Sequence, residues 1–211
     1  STINCLKKLG VKIKKIKPKS YLIYGKGLGS LFAKKNLQLN FGNSGTLARL
    51  MIGILSSTPD IEVKIKGDKS LNKRSMKKLI NLMTKFGVEF FPKNKFFFPL
   101  RISSSNYPIG ISYNSGTSAQ LKSAVILAGL NSYGETEINE SLKSRDHTEN
   151  MLKKNKNSIK ITNGKIKKIK VYGKKNLNNF SINVPGDPSS AAFFTALTLI
   201  KKNSFLKIKN V

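Results

Sequence analysis

The alternation of apolar and polar positions along the chain predicts helices separated by short strands. Three strongly apolar segments each follow a turn rich in glycine and small residues, at 43–55, 115–127 and 185–194. These segments are apolar on nearly every helical face, so we expect them inside the domain. Three other helical patterns, with lysine-rich faces expected outside, lie at 3–9, 76–86 and 147–153. Gly10 and Gly87 come just past two of them, where a left-handed C-cap residue is favoured.

Short alternating segments between these helices predict strands. Strands are expected after the apolar helices, at 61–65, 134–138 and 205–208. Strands are also expected after the other helices, at 11–16, 88–91 and 158–161. Residues 21–24 and 166–172 predict extra hairpin strands, the second of them after the Asn163–Gly164 turn.

The spacing of the glycine turns indicates internal repetition. Gly45, Gly116 and Gly186 are 71 and 70 residues apart, so a helix–strand–helix–strand unit recurs about every 70 residues. Such units predict an α/β protein in which helices pack on small sheets. The chain begins within a predicted helix and ends at a predicted strand, so we expect one domain over 1–211 that is truncated at both ends.

Composition narrows the classes of function. The 211 residues include one Cys and one His, which leaves no intrachain disulfide and no Cys-rich or multi-His metal site. The apolar runs are far shorter than the ~18 residues that span a bilayer. No signal segment precedes the predicted fold, so we expect a cytoplasmic location.

The net charge of +29 has two interpretations. One is a surface for nucleic acid or another polyanion. The other is compositional drift, with lysines scattered over solvated faces. The scatter favours drift, and the aromatic residues are not spaced as a base-stacking surface, since Phe96–Phe98 form a single run that we expect to be buried. A basic nucleic-acid-binding domain stays open as an alternative.

The arginines are more informative than the lysines. Backbone N–H groups and the helix dipole make each predicted turn–helix junction a candidate anion site, although capping by Ser, Thr or Asp explains each turn taken alone. Arg49, Arg74 and Arg145 lie at equivalent loop–helix positions. A guanidinium group binds phosphate or carboxylate through two parallel hydrogen bonds, which lysine cannot do. Arg101 lies in a strand-like stretch and is interpreted as structural.

Four segments together resemble the 5-enolpyruvylshikimate-3-phosphate (EPSP) synthase family. In the family's order and spacing, they are Leu39–Met51, Ser118–Ala124, Glu140–Leu152 and Val184–Phe193. The resemblance implies two domains, each an inverse α/β barrel-like arrangement of βαβαββ units around a pseudo-threefold axis. The present chain would be the N-terminal-type domain, with about three repeats of ~70 residues.

The resemblance also implies an activity. The family transfers the enolpyruvyl group of phosphoenolpyruvate to the 5-hydroxyl of shikimate 3-phosphate and releases phosphate. This reaction belongs to the shikimate pathway, which leads through chorismate to the aromatic amino acids. It uses no metal or organic cofactor. The implied partners are these two small molecules, with no nucleic acid or membrane, and the expected state is a monomer.

Site residues follow from the motif match. The resemblance implies a phosphoenolpyruvate set of Asn43, Gly45, Thr46, Arg74 and Gln120. It implies a shikimate-3-phosphate set of Ser118, Ala119, Gln120, Ser144 and Arg145. The family's acid and base carboxylates, and its N-terminal Lys-Ser…Arg segment, have no match here. We therefore expect half a site and no turnover by this chain alone.

The remaining reactive side chains have structural interpretations. We expect Asp187 to cap its helix, and Asp146 to cap the helix of His147 or to pair with Arg145. His147 is interpreted as a structural residue at a helix start, and Cys5 as a buried or neutral thiol.

Two further alternatives remain. UDP-N-acetylglucosamine enolpyruvyl transferase shares the fold and chemistry but relies on a loop cysteine. Cys5 lies on a predicted helix, and the segment 144–148 also argues against that family. The other alternative is a structural fragment that binds its ligands too weakly to detect.

Overall fold

A computed structural model describes residues 1–18, 20–178 and 184–210. The chain divides into two compact units, 1–178 and 179–211, which are described separately. Within the described ranges, every helix is too short or too polar to traverse a lipid bilayer. The predicted single domain over 1–211, with truncated ends and three repeats, stays a prediction.

The first unit contains six helices and ten strands among its described residues. The helices are α1 (Thr2–Lys8), α2 (Gly45–Ser56), α3 (Lys69–Asn72), α4 (Lys77–Thr84), α5 (Ala119–Leu130) and α6 (His147–Leu152). The strands are β1 (Lys12–Lys17), β2 (Ser20–Tyr24), β3 (Gln38–Asn40), β4 (Glu62–Lys66), β5 (Glu89–Phe91), β6 (Leu100–Ser103), β7 (Ser112–Ser115), β8 (Glu135–Glu140), β9 (Ile159–Thr162) and β10 (Lys167–Tyr172). Every helix and strand predicted within 1–178 is present, with bounds that differ by a few residues at most.

Two four-stranded sheets of this unit have the same topology. Their strand orders are β3-β4-β6-β5 and β7-β8-β10-β9. In each sheet the first pair of strands is parallel and the other two pairs are antiparallel. Apart from the short helix α3, both follow the chain order βαβαββ. The first unit therefore contains the predicted α/β supersecondary unit twice.

The two apolar helices of this unit begin in the same way. Ser44 and Ser118 are extended N-cap residues, with φ and ψ of −88° and 97° and of −86° and 98°. Each serine side chain accepts a hydrogen bond from the backbone N–H three residues later, of Leu47 at 3.1 Å and of Leu121 at 3.4 Å. This satisfies one of the free donors at each helix start.

Helices α2 and α5 pack against each other in the hydrophobic core, as predicted for apolar helices. Ala48, Ile52, Ala124 and Val125 are all buried. At Gly53 the two backbones come so close that an added Cβ atom would lie 2.6 Å from the carbonyl oxygen of Ala124. The glycine is therefore required by the close approach of the two helices.

This contact predicts a measurable loss of stability in Gly53→Ala. The new methyl group meets backbone atoms that cannot rotate away, so unfolding should become easier by about 2 kcal/mol. Urea denaturation monitored by circular dichroism measures this change. The matched control is Gly116→Ala, whose Cβ atom would have nothing within 4 Å. Equal stabilities of the two variants would contradict the predicted contact.

The second unit departs from the sequence-based expectation in two ways. Its helix α7 (Pro188–Ile200) is present, but none of its residues is buried, and Phe193 and Leu199 are largely exposed. The expectation of an interior apolar helix is wrong here, since the described residues of this unit provide no second helix or strand to cover α7. The strand predicted at 205–208 is also wrong, because residues 184–210 contain no strand with which it could pair.

The phenylalanine run was also only partly predicted. Phe98 is buried and contacts Phe41 edge to face, with 6.0 Å between the ring centres. Phe97 is exposed. Consecutive side chains leave the backbone in different directions, so a run of three cannot all enter one core. Gly10 and Gly87 have φ of +87° and +90° after α1 and α4, which confirms the predicted left-handed positions.

Candidate functional site

The start of α2 brings together three residues predicted to bind phosphoenolpyruvate. Arg74 Nη2 donates to Asn43 Oδ1 at 2.9 Å and to Ser70 Oγ at 3.3 Å. A Cβ atom on Gly45 would lie 2.8 Å from Arg49 Nη1 and 3.4 Å from Arg74 Nη1. A side chain at position 45 would displace the end of Arg49, so the glycine allows the Arg49 guanidinium group to lie against the helix start beside Arg74.

A side-chain bridge joins this helix start to α5. Gln120 Nε2 donates to Thr46 Oγ1 at 2.7 Å, and Gln120 Oε1 accepts from Arg49 Nη1 at 3.0 Å. Arg49 Nη1 also donates to the Gly45 carbonyl at 3.1 Å. The bridge places Gln120, which was predicted for both substrates, against Thr46 of the phosphoenolpyruvate set, although the two residues are 74 positions apart.

The site carries an unbalanced positive charge. Burial lowers the pKa of the half-buried Arg49, and the nearby charge of Arg74 lowers it further. Among the residues that the structure describes, neither guanidinium group has an ion pair with a carboxylate. Two such cations beside a helix N-terminus have the chemistry that binding of a phosphate or carboxylate requires. Arg49 was not among the predicted site residues, although its position one turn into the apolar helix was the available signal.

The start of α5 borders the same region. Ser118 is the N-cap of α5 and Ala119 is its first residue. Ser118 and Arg49 line a shared cleft of about 450 Å³ together with residues 75–79 and Leu121. The cleft therefore connects Ser118, a member of the predicted shikimate-3-phosphate set, with Arg49.

Ser144 and Arg145 lie in the loop between β8 and α6. The backbone N–H and the Oγ atom of Ser144 both donate to Glu140 Oε1, at 3.0 and 2.6 Å. Arg145 is exposed. A cleft of about 580 Å³ runs beside this loop and is lined by Glu140, Ser141, Lys143, Ser144, Asp146, Glu149, Lys153, Ile161, Asn163, Gly164, Lys165 and Lys167.

A buried ionic cluster supports this loop. Lys122 Nζ lies 2.7 Å from Glu140 Oε1 and 2.6 Å from Glu149 Oε1, and all three side chains are almost completely inaccessible. Lys167 Nζ lies 3.3 Å from Glu140 Oε2 and from Glu149 Oε1. Sequence reasoning missed this cluster. The available signal was a lysine within the otherwise apolar helix 119–130.

The cluster keeps Glu140 charged. Burial raises the pKa of its carboxyl group, but hydrogen bonds from Lys122 and Ser144 and the charge of Lys122 lower it by more, to about 2. Glu140 is therefore an ionised acceptor at neutral pH, with Lys122 as its counter-ion.

Two carboxylates were predicted to cap helices, with different outcomes. Asp187 Oδ1 accepts from the Ser189 N–H at 3.0 Å, which confirms its capping role at α7. Asp146 precedes α6 but makes no capping hydrogen bond, because its φ of −113° and ψ of 26° are not the extended conformation of a capping residue. Its Oδ1 atom instead accepts from Asn150 Nδ2 at 2.9 Å, and no ion pair with Arg145 occurs among the described residues.

The structural interpretations of Cys5 and Arg101 are confirmed, and His147 lies at the helix start where it was predicted. Cys5 is buried, its Sγ atom lies 3.5 Å from the Asn40 carbonyl, and burial raises its pKa. Arg101 pairs with Glu62 at 2.6 Å and lies over the Phe91 ring. His147 begins α6 and is exposed. In the described part of the chain, no group of three or more His, Cys, Asp or Glu side chains is placed to hold a metal ion.

Comparison with known proteins identifies the family. The family model described as EPSP synthase (3-phosphoshikimate 1-carboxyvinyltransferase) matches residues 1–211. The chain therefore belongs to the EPSP synthase family. This match decides between the two enolpyruvyl transferase families considered from the sequence.

Individual relatives agree with the family assignment. The chain is 43% identical to a 3-phosphoshikimate 1-carboxyvinyltransferase from Petrotoga mobilis, over 100% of this chain and 48% of the relative. It is 42% identical to one from Bacillus cytotoxicus, over 100% of this chain and 49% of that protein. The chain thus spans about half the length of the curated relatives it matches.

A solved structure confirms the fold class. EPSP synthase from Acinetobacter baumannii is similar with a TM-score of 0.79 and 36% sequence identity, over 93% of this chain and 43% of that one. The mixed α/β sheets of the first unit agree with this similarity.

Proposed function

We propose that this chain provides part of the substrate site of a 3-phosphoshikimate 1-carboxyvinyltransferase. That reaction transfers the enolpyruvyl group of phosphoenolpyruvate to the 5-hydroxyl of shikimate 3-phosphate. The observation that carries the proposal is the bridge of Gln120 to Thr46 and Arg49. It joins the starts of two apolar helices, each of which carries residues of one predicted substrate set.

The charge of the site supports anionic substrates. Both substrates carry phosphate and carboxylate groups at neutral pH, and Arg49 and Arg74 have no carboxylate partner among the described residues. In this proposal phosphoenolpyruvate lies at the start of α2, and shikimate 3-phosphate lies between the start of α5 and the Ser144–Arg145 loop. Preorganised donors of this kind gain strength when closure of the protein excludes water.

The proposal also includes an incomplete site. The reaction protonates the methylene carbon of phosphoenolpyruvate and deprotonates the attacking hydroxyl, so it needs an acid and a base. Glu140 and Glu149 are engaged with lysines, and Asp68 caps α3 through the Leu71 N–H. We expect this chain alone to bind substrate without turnover. We expect the enzyme to which it contributes to be a cytoplasmic monomer that uses no cofactor.

A titration with shikimate 3-phosphate tests the proposal. Calorimetry at two salt concentrations would compare the wild-type chain with Arg145→Ala, Arg74→Ala and the control Arg101→Ala, which removes a structural arginine of equal charge. We expect selective binding over inorganic phosphate and a loss of about 10- to 100-fold in Arg145→Ala, since a charge-assisted hydrogen bond is removed. Arg74→Ala should weaken the binding of phosphoenolpyruvate rather than the binding of shikimate 3-phosphate.

The contrary outcome is distinct. Binding that is equal for phosphate and shikimate 3-phosphate, falls steeply with salt and is weakened alike by all three substitutions would contradict the proposed site. It would favour the alternative of a basic surface for nucleic acid.

A further inference from the structure

Both hydrogen-bond donors of Ser144 are directed to one buried carboxylate oxygen. Its backbone N–H and its hydroxyl donate to Glu140 Oε1 at 3.0 and 2.6 Å. The Glu140 side chain is 1% exposed, whereas Ser144 is half-buried beside the cleft and Arg145 is exposed. A rigid, buried acceptor therefore fixes the backbone of a loop whose next residue projects toward solvent.

A buried lysine makes this carboxylate compatible with an anion nearby. An unpaired carboxylate behind a phosphate site would repel the ligand. Lys122 lies 2.7 Å from Glu140 and Lys167 lies 3.3 Å from it, so the negative charge is balanced locally. Lys122 belongs to α5, four residues after the cap Ser118, so the same ion pair links the loop to the start of that helix.

A second contact holds the loop against α5. Ser123 Oγ and Thr148 Oγ1 form a hydrogen bond of 2.7 Å. Lys122 also binds Glu149 of α6 at 2.6 Å. The loop between β8 and α6 is thus linked to α5 at both ends, through Glu140 of β8 before the loop and through Thr148 and Glu149 of α6 after it. Glu140 itself is the part of this network that contacts Ser144.

We propose that Glu140, with Lys122 as its counter-ion, is a positioning residue that holds Ser144 and Arg145 for the phosphate group of shikimate 3-phosphate. This inference rests on the function proposed above and extends it to a residue outside the predicted site. Glu140 does not touch the ligand. It sets the place of the two residues that do.

The hydroxyl of Ser144 changes partner in this proposal. A serine hydroxyl has one proton, and a phosphate dianion offers only acceptors. The Ser144 hydroxyl therefore donates its hydrogen bond to Glu140 in the ligand-free chain and to the phosphate when the ligand is bound. The backbone N–H stays on Glu140 Oε1 and keeps the loop in place during the exchange.

The test compares Glu140→Gln with Glu135→Gln, a control on the same strand whose carboxylate pairs with the partly exposed Lys170. Calorimetry measures the affinity of each variant for shikimate 3-phosphate and for phosphoenolpyruvate, and 15N–1H spectra follow the Ser144 amide. For Glu140→Gln we expect about tenfold weaker shikimate 3-phosphate binding, unchanged phosphoenolpyruvate binding and a displaced Ser144 amide signal. Glu135→Gln should match the wild type in all three.

Three results would overturn the inference in different ways. If the wild-type chain does not bind shikimate 3-phosphate selectively, both the proposed function and the positioning role of Glu140 are contradicted. If the wild type binds selectively and Glu140→Gln binds equally well, only the positioning role is contradicted. An equal loss of affinity for both ligands in Glu140→Gln indicates general disruption of the fold, which also contradicts a specific positioning role.

Discussion

Replacing Lys122 by methionine should lower the free energy of unfolding by about 3–5 kcal/mol. The substitution keeps the length of the side chain but removes the cation between Glu140 and Glu149, which are both 1% exposed. Loss of one partner leaves buried carboxylates without sufficient compensation, and this is among the most costly changes in a protein interior. Urea denaturation monitored by circular dichroism gives the change directly.

Two further variants make this result specific. Lys170→Met removes a lysine that pairs with Glu135 near the surface, and it should cost less than about 1 kcal/mol. Adding Glu140→Gln and Glu149→Gln to Lys122→Met removes the uncompensated charges and should recover part of the lost stability. If Lys122→Met were as stable as Lys170→Met, the buried cluster would not exist in solution.

Acidification from pH 5 to pH 2 should remove about 3 kcal/mol of stability through Glu140. Its pKa falls from an ordinary 4.5 to about 2 in the folded chain, and each unit corresponds to about 1.4 kcal/mol. A carboxyl group with a lowered pKa binds fewer protons when folded. The stabilisation is therefore complete above the unfolded pKa and is lost as the pH falls through the folded pKa.

The variant Glu140→Gln isolates this contribution from the other acidic residues. Denaturation midpoints measured at several pH values between 5 and 2 should fall less steeply for the variant than for the wild type. Lys122 and Ser144 donate hydrogen bonds to the carboxyl group, and Lys167 lies 3.3 Å from it. Parallel slopes for the two proteins would show that the pKa of Glu140 is not lowered by its neighbours.

Local sequence patterns predicted the first unit well because its elements are fixed by local chemistry. Ser44 and Ser118 cap their helices, Gly10 and Gly87 adopt left-handed conformations, and Asn163–Gly164 lies in the turn that joins the antiparallel strands β9 and β10. None of these features depends on a distant partner. The same patterns correctly predicted the helix α7 but were wrong about its burial, and they were wrong about a strand at 205–208, because burial and strand pairing need a second element.

For the candidate site, the sequence indicated several of the residues but not the contacts between them. Motifs indicated Gln120 and Arg74, and spacing placed Arg49 at an equivalent position. Which atoms meet could not be read from the chain, since the Gln120–Thr46 bridge spans 74 residues. The role of Lys122 was harder to recognise, because in a chain with a net charge of +29 the one lysine within the apolar helix 119–130 does not stand out from the many surface lysines.

The matched caps at Ser44 and Ser118 give the molecule an internal reference. The same cap conformation occurs twice, yet the first helix starts with Gly45, against which Arg49 and Arg74 lie, and the second starts with Ala119. Hydrogen-exchange rates at paired amides can therefore be compared within one sample, with temperature, solvent and global stability identical. Any difference between the two copies then reports what the side chains add to a common geometry.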